Sequence, residues 1–145
     1  MRPAVVDASV AVKWVVRQQL TERAYAALSR FQLVAPSLII AEMANALWKY
    51  ARAGQVDPRS FPEILDGVES RYFKTEPIDG TLTRAALQLA VDLDHPVYDC
   101  YYLALARRDS APVITDDRRL LRRAGDAGFA VIDLARSPEL DVTET

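Results

Sequence analysis

Cysteine and histidine, the usual builders of transition-metal and redox sites, are almost missing: the 145-residue chain has only Cys100 and His95. A lone cysteine excludes an internal disulfide, and one cysteine with one histidine cannot supply a structural zinc site. Any metal has to be held by oxygen. The same scarcity argues against serine or cysteine hydrolase chemistry, because no histidine stands at a spacing that would activate a nucleophile. No apolar run approaches the roughly 18 residues of a membrane span. No basic segment followed by an apolar core and a cleavage site opens the sequence, so a soluble, cytoplasmic protein is expected. Five glycines form no Gly/Ser linker, and repeats and low-complexity tracts are absent. Neither charge sign dominates: 18 Lys and Arg against 20 Asp and Glu give a net charge of −2. Bulk charge therefore does not announce a nucleic-acid binder, and local patches would have to hold a polyanion.

What is present is apolar residue, half of the chain, enough for one sizeable core and too little for two domains. We expect one domain over residues 1–136 and a polar, frayed and removable tail over 137–145. Short β-like runs alternate with helical patterns. Strands are expected at Pro3–Asp7, at Leu33–Ala35 (stopped by Pro36), at Lys74–Ile78, in "APVIT" and in "FAVIDL". Helices are expected at Ala8–Val16, Thr21–Arg30, from an N-cap at Ser37 to Gly54, Pro58–Tyr72, Leu82–Leu93, from Pro96 through "VYDCYYLALARR", and in "DDRRLLRRAG", closed by Gly125. Strands apolar on both faces, separated by helices, predict an α/β/α sandwich: a short parallel sheet of four or five strands with helices on both sides. Ligands of such sheets bind outside the carboxyl ends of the strands.

Acidic residues gather at that edge. Asp7 ends the first apolar run, "VVDASV", where desolvating a carboxylate is costly unless compensated. Asp116 and Asp117 follow the strand "PVIT". Asp99 stands in the first turn of an otherwise apolar helix, favoured there by the helix dipole. Glu42 interrupts the greasy helix "LIIAEMANAL", with Asn45 and Lys49 on its face. An N-cap or a solvated carboxylate is the bland alternative for each acid, and it suits Asp116 best.

The four blocks "VVDASV", "PSLIIAEMANAL", "PVYDCYYLALA" and "VITDDRRLL" resemble the PIN domain, in the branch formed by the VapC toxins of toxin–antitoxin modules. The likeness runs from Val5 to about Leu134 with the blocks in the family's order. It implies a ribonuclease with Asp7, Glu42, Asp99 and Asp117 as catalytic acids. Asp116 fills a variable slot, leaving the choice between it and Asp117 open. The resemblance further implies Ser9, Asn45 and Thr115 as supporting residues, an RNA substrate, a small antitoxin partner and a homodimer.

The chemistry explains such a set. Clustered carboxylates repel one another and await a cation, and Mg²⁺ or Mn²⁺ takes oxygen ligands while keeping waters. A phosphodiester is then open to metal-assisted hydrolysis. We assign Asp7, Asp99 and Asp117 to the metal and Glu42 to its waters or to a second ion, with Ser9 and Thr115 orienting carboxylates and Asn45 orienting Glu42 or a phosphate. Arg107, Arg108, Arg118 and Arg119 are candidate RNA contacts, against the competing reading of solvated helix faces. His95 reads as a cap or surface residue, Cys100 as a small buried hydrophobe. Trp14 and Trp48 read as core that also lines a partner groove. A dehalogenase-like phosphatase would need a second aspartate where Ser9 stands, and a phosphate-accepting signalling domain would need a lysine beyond Lys74. A PIN-like RNA-processing nuclease without a toxin role, or a silent RNA- or protein-binding scaffold, is the remaining alternative.

Overall fold

The computed structural model describes residues 1–143, with residues 144–145 and the side chains of 69–71 outside the description. Five strands, β1 (Pro3–Val6), β2 (Gln32–Pro36), β3 (Lys74–Glu76), β4 (Val113–Thr115) and β5 (Val131–Asp133), alternate with helices. Those described are α1 (Ala8–Val15), α2 (Thr21–Arg30), α3 (Leu38–Arg52), α4 (Phe61–Arg71), α5 (Gly80–Leu93), α6 (Val97–Asp109) and α7 (Arg118–Asp126). All strand pairs are parallel, in the order β3-β2-β1-β4-β5.

That order fixes where helices lie. The chain steps from β1 to β2 to β3 in one direction, then crosses back to β4 and on to β5. Right-handed crossovers place α1–α4 on one face and α5–α7 on the other. In agreement, α6 packs on β1, β2 and β4, while α1 packs against α2 and α3. Central β1 is covered on both sides, which is why Ala4, Val5 and Val6 are all apolar and fully buried. Each such valine contributes about 1.5–3 kcal/mol of transfer free energy. The expected sandwich is observed, with five strands.

Boundaries differ where backbone pairing overrides a local signal. Pro36 does not stop β2 but pairs within it, opposite Glu76. Ser37 makes no side-chain cap to α3; its backbone N–H instead donates to Glu76 O at 2.8 Å, extending the ladder. Gly54 does close α3 in the left-handed region (φ 73°), as a C′ glycine should. Gly125 does not close α7; the helix runs to Asp126 and the left-handed residue is Gly128 (φ 86°).

The tail expected to fray from Ser137 is tied down through Asp141. A 3-10 turn at Pro138–Leu140 buries Leu140 completely in the core. Arg23 donates to the carbonyls of Leu134 and Ser137, and Arg30 to those of Glu139 and Asp141. Residues 144 and 145 of that tail lie outside the described residues.

Candidate active site

The strand order reverses direction between β1 and β4, so the crevice of this sheet opens at the carboxyl ends of those two strands. Asp7 is the first residue past β1 and the N-cap of α1. Its Oδ1 accepts from Ser9 Oγ at 2.6 Å and from the backbone N–H groups of Ser9 (3.1 Å) and Val10 (3.4 Å). Its Oδ2 accepts from the Thr115 hydroxyl at the end of β4. The compensation demanded by a buried carboxylate is thus a helix N-terminus and two hydroxyls, one from each central strand's exit. Ser9 Oγ also accepts the Asp116 N–H at 2.9 Å, and Thr115 Oγ1 accepts the Asp117 N–H at 3.0 Å. Ser9 and Thr115 therefore stitch the two acidic exits together.

Asp99 and Glu42 arrive from opposite faces of the sheet, on α6 and α3. Glu42 Oε1 accepts the Tyr102 hydroxyl at 2.5 Å. Tyr102 is buried in the core, and only its hydroxyl reaches a carboxylate. Asp99 Oδ2 lies 2.7 Å from His95 Nε2. The expected surface or capping role of His95 is corrected by its burial, at 5 % exposure, and by this bond. Neither tyrosine nor histidine was readable as a partner from sequence, although His95 at i−4 from Asp99 was the available signal. Asn45, assigned to orient Glu42, is exposed, and the described residue that holds Glu42 is Tyr102.

The charges of these acids are felt by one another. Burial pushes Asp7 up to about 7, with the Ser9, Thr115 and Val10 hydrogen bonds pulling down and the Asp99 charge adding to the rise. Burial also raises Glu42, against the pull of the Tyr102 hydroxyl and with the push of Asp99. The Tyr102 phenol is driven up by burial first, then by Glu42, and further by Asp7 and Asp99. Burial and Asp99 push the Cys100 thiol up to about 11, in keeping with an inert buried hydrophobe.

The fourth block divides its two acids. Asp117 caps α7 through Oδ1, accepting from Arg119 N (2.9 Å) and Leu120 N (3.1 Å). Both oxygens of Asp116 face cations: Oδ2 lies 3.2 Å from Lys13 Nζ and Oδ1 lies 3.2 Å from an Arg118 nitrogen. Lys13 is itself buried, at 7 % exposure, and also donates to Ser9 O at 2.8 Å, a role no sequence pattern indicated. Arg118 pairs with Asp133 as well, and Arg119 is exposed near the edge.

Arg107 and Arg108 sit elsewhere. They come eight and nine residues after Asp99, roughly 12 Å along the helix axis. Arg107 stacks 4.7 Å over Phe129 and lines a cavity of about 440 Å³ with Arg2, Pro112 and Ala130, at the amino ends of the strands. Arg108 pairs with Asp109 and Glu76. Trp14 is buried, stacked on Tyr72 with ring centroids 5.3 Å apart, and is core, whereas Trp48 is exposed under Arg52.

A divalent cation is tested by the donors available. Among the described residues no three Asp, Glu, His or Cys side chains stand close enough together to grip one ion directly. The acids are nevertheless oxygen donors without a fixed ammonium or guanidinium: Lys13 and Arg118 are committed to Asp116. Magnesium keeps several waters and needs only one or two carboxylates, so Asp7, Glu42 and Asp99 fit a hydrated ion.

The fold has a known counterpart. The PIN domain model matches residues 4–126, and the chain belongs to the PIN-domain family. Ribonuclease VapC3 of Pyrobaculum aerophilum is 32 % identical over 122 residues, 82 % of this chain and 92 % of that protein. Exonuclease VapC9 of the same organism is 34 % identical over 100 residues, 68 % of this chain and 71 % of that protein. Among solved structures, a toxin–antitoxin complex from Klebsiella pneumoniae shares the fold with a TM-score of 0.58 at 15 % identity, covering 90 % of this chain and 97 % of that one.

Proposed function

We propose that this protein is a Mg²⁺- or Mn²⁺-dependent endoribonuclease acting as the toxin of a toxin–antitoxin pair. The reading is supported by a PIN-family sheet whose crevice holds Asp7, bonded to Ser9 and Thr115, with the charge of Asp99 adding to the rise of both Asp7 and Glu42. In this reading Asp7, Asp99 and Asp117 face the metal, and Glu42 holds its waters or a second ion. Ser9 and Thr115 keep the Asp7 carboxylate oriented, and Asp116 stays with Lys13 and Arg118. A divalent cation bound there supplies charge neutralisation for the phosphodiester and a water of lowered pKa. Arg118 and Arg119, near the acidic edge, contact phosphates of the RNA. A small cognate antitoxin covers the cleft, as the likeness to a toxin–antitoxin complex supports, and the chain works as a homodimer.

The test is cleavage of matched circular and linear RNAs by the purified chain with Mn²⁺, Mg²⁺ or chelator, beside a folded Asp99→Asn variant. Opening of the circle that needs metal and is lost in the variant supports an endoribonuclease. Shortening of the linear RNA alone would make it an exonuclease instead, and equal activity in both proteins would overturn the assignment.

A further inference from the structure

His95 is a buried polar group with a single useful partner. Its Nε2 meets Asp99 Oδ2 at 2.7 Å, while its Nδ1 is buried and has no hydrogen-bond partner among the described residues. Leaving a buried polar atom unsatisfied is costly, and a leucine of similar size would avoid that cost. The fold nonetheless goes to some length to place this ring. Asp94 closes α5 in the left-handed region (φ 49°), His95 follows, and Pro96 is the N-cap that starts α6. This tight corner folds His95 back over the first turn of α6, where Asp99 is the third helical residue. Cys100, the fourth, turns its thiol toward His95 O at 3.9 Å, as in a staple across a helix start.

We propose that His95 is a positioning residue: it anchors one oxygen of Asp99 so that the other is held toward Asp7, Glu42 and a divalent cation between them. The inference rests on the metal-dependent reading above. Asp99 is the pivot of the cluster, its charge felt at both other acids, and it is partly exposed, with a side chain 28 % accessible. A partly exposed aspartate at a helix start would otherwise have freedom to change rotamer. Fixing it in advance removes an ordering cost from cation binding, the role that partners outside the ligand shell commonly play for metal-bound side chains.

The arrangement separates fold from function. Water can solvate Asp99 if the imidazole is lost, so His95→Leu removes the orphaned nitrogen without stranding a charge. We expect His95→Leu to keep or raise the Tm of the full chain and to weaken Mn²⁺ binding, read by calorimetric titration, by about 10–100-fold. His95→Gln, whose amide can still donate to Asp99, should retain affinity within a few fold. Asp99→Asn is the control for the metal site itself. Undiminished Mn²⁺ affinity in His95→Leu, with affinity lost in Asp99→Asn, would overturn the role of His95 while leaving the metal reading intact. A lowered Tm with unchanged affinity would make His95 a packing residue only. Undiminished affinity in Asp99→Asn would instead defeat the metal reading.

Discussion

At the scale of single residues, Asp7 shows how a site can be built against stability. Its carboxyl titrates at about 7 in the folded chain against an ordinary 3.8, chiefly through burial. A raised acid means that the folded state holds the proton more tightly. The associated stability is complete below about pH 4 and is lost as pH rises through 7. Asp7→Asn keeps the shape without the buried charge. It should therefore be more stable than the wild type at pH 8, on the order of 2–4 kcal/mol without metal, with the gap closing toward pH 4. Thermal melts at the two pH values check this, and a gap that does not change with pH would show that burial of the charge is not the cause. The acids stood out in the sequence because Asp7, Asp99, Asp116 and Asp117 stand at element ends and Glu42 interrupts an apolar helix. Their partners did not. Tyr102 looks like any core aromatic, Lys13 like any helix lysine and His95 like a loop residue, since which hydroxyl, ammonium or ring nitrogen meets a carboxylate is decided by how α1, α3, the β4 exit and the α5–α6 corner come together in three dimensions.

At the scale of elements, the helices and strands read well where apolar period and turn chemistry agreed, as for α1, α2 and the Gly54 end of α3. They read less well where backbone pairing overrode a familiar signal, as at Ser37 and Pro36. The last segment looks loose in the sequence because its composition is polar, while Leu140 is buried in the core and arginines from α2 hold the backbone around it. Leu140→Ala should cost about 2–4 kcal/mol through the cavity it leaves, and denaturant unfolding measures it. An unchanged midpoint would return this segment to the status of a dispensable tail.

At the scale of the whole molecule, the alternation of strands and helices announced a covered parallel sheet, but it did not give the strand order. The reversal between β1 and β4 comes from long-range pairing, and it alone places Asp7 beside Thr115 and Asp117. Of the four arginines singled out from sequence, Arg107 lies over Phe129 at the amino ends of the strands, away from Arg118 and Arg119. Replacing Arg118 and Arg119 by alanine should weaken RNA binding several-fold and flatten its salt dependence. Each phosphate charge that goes unneutralised lowers the slope of log affinity against log salt by about 0.7 on a single strand. Replacing Arg107 and Arg108 should leave that slope unchanged, and filter binding over a salt series separates the two.

The hydroxyl of Thr115 reaches from β4 to the acid that closes β1, so the acidic edge is stitched into the middle of the sheet rather than hung on its loops. Loosening that seam would strain the pairing of the two central strands themselves. An inhibitor of such a machine gains little by bending it.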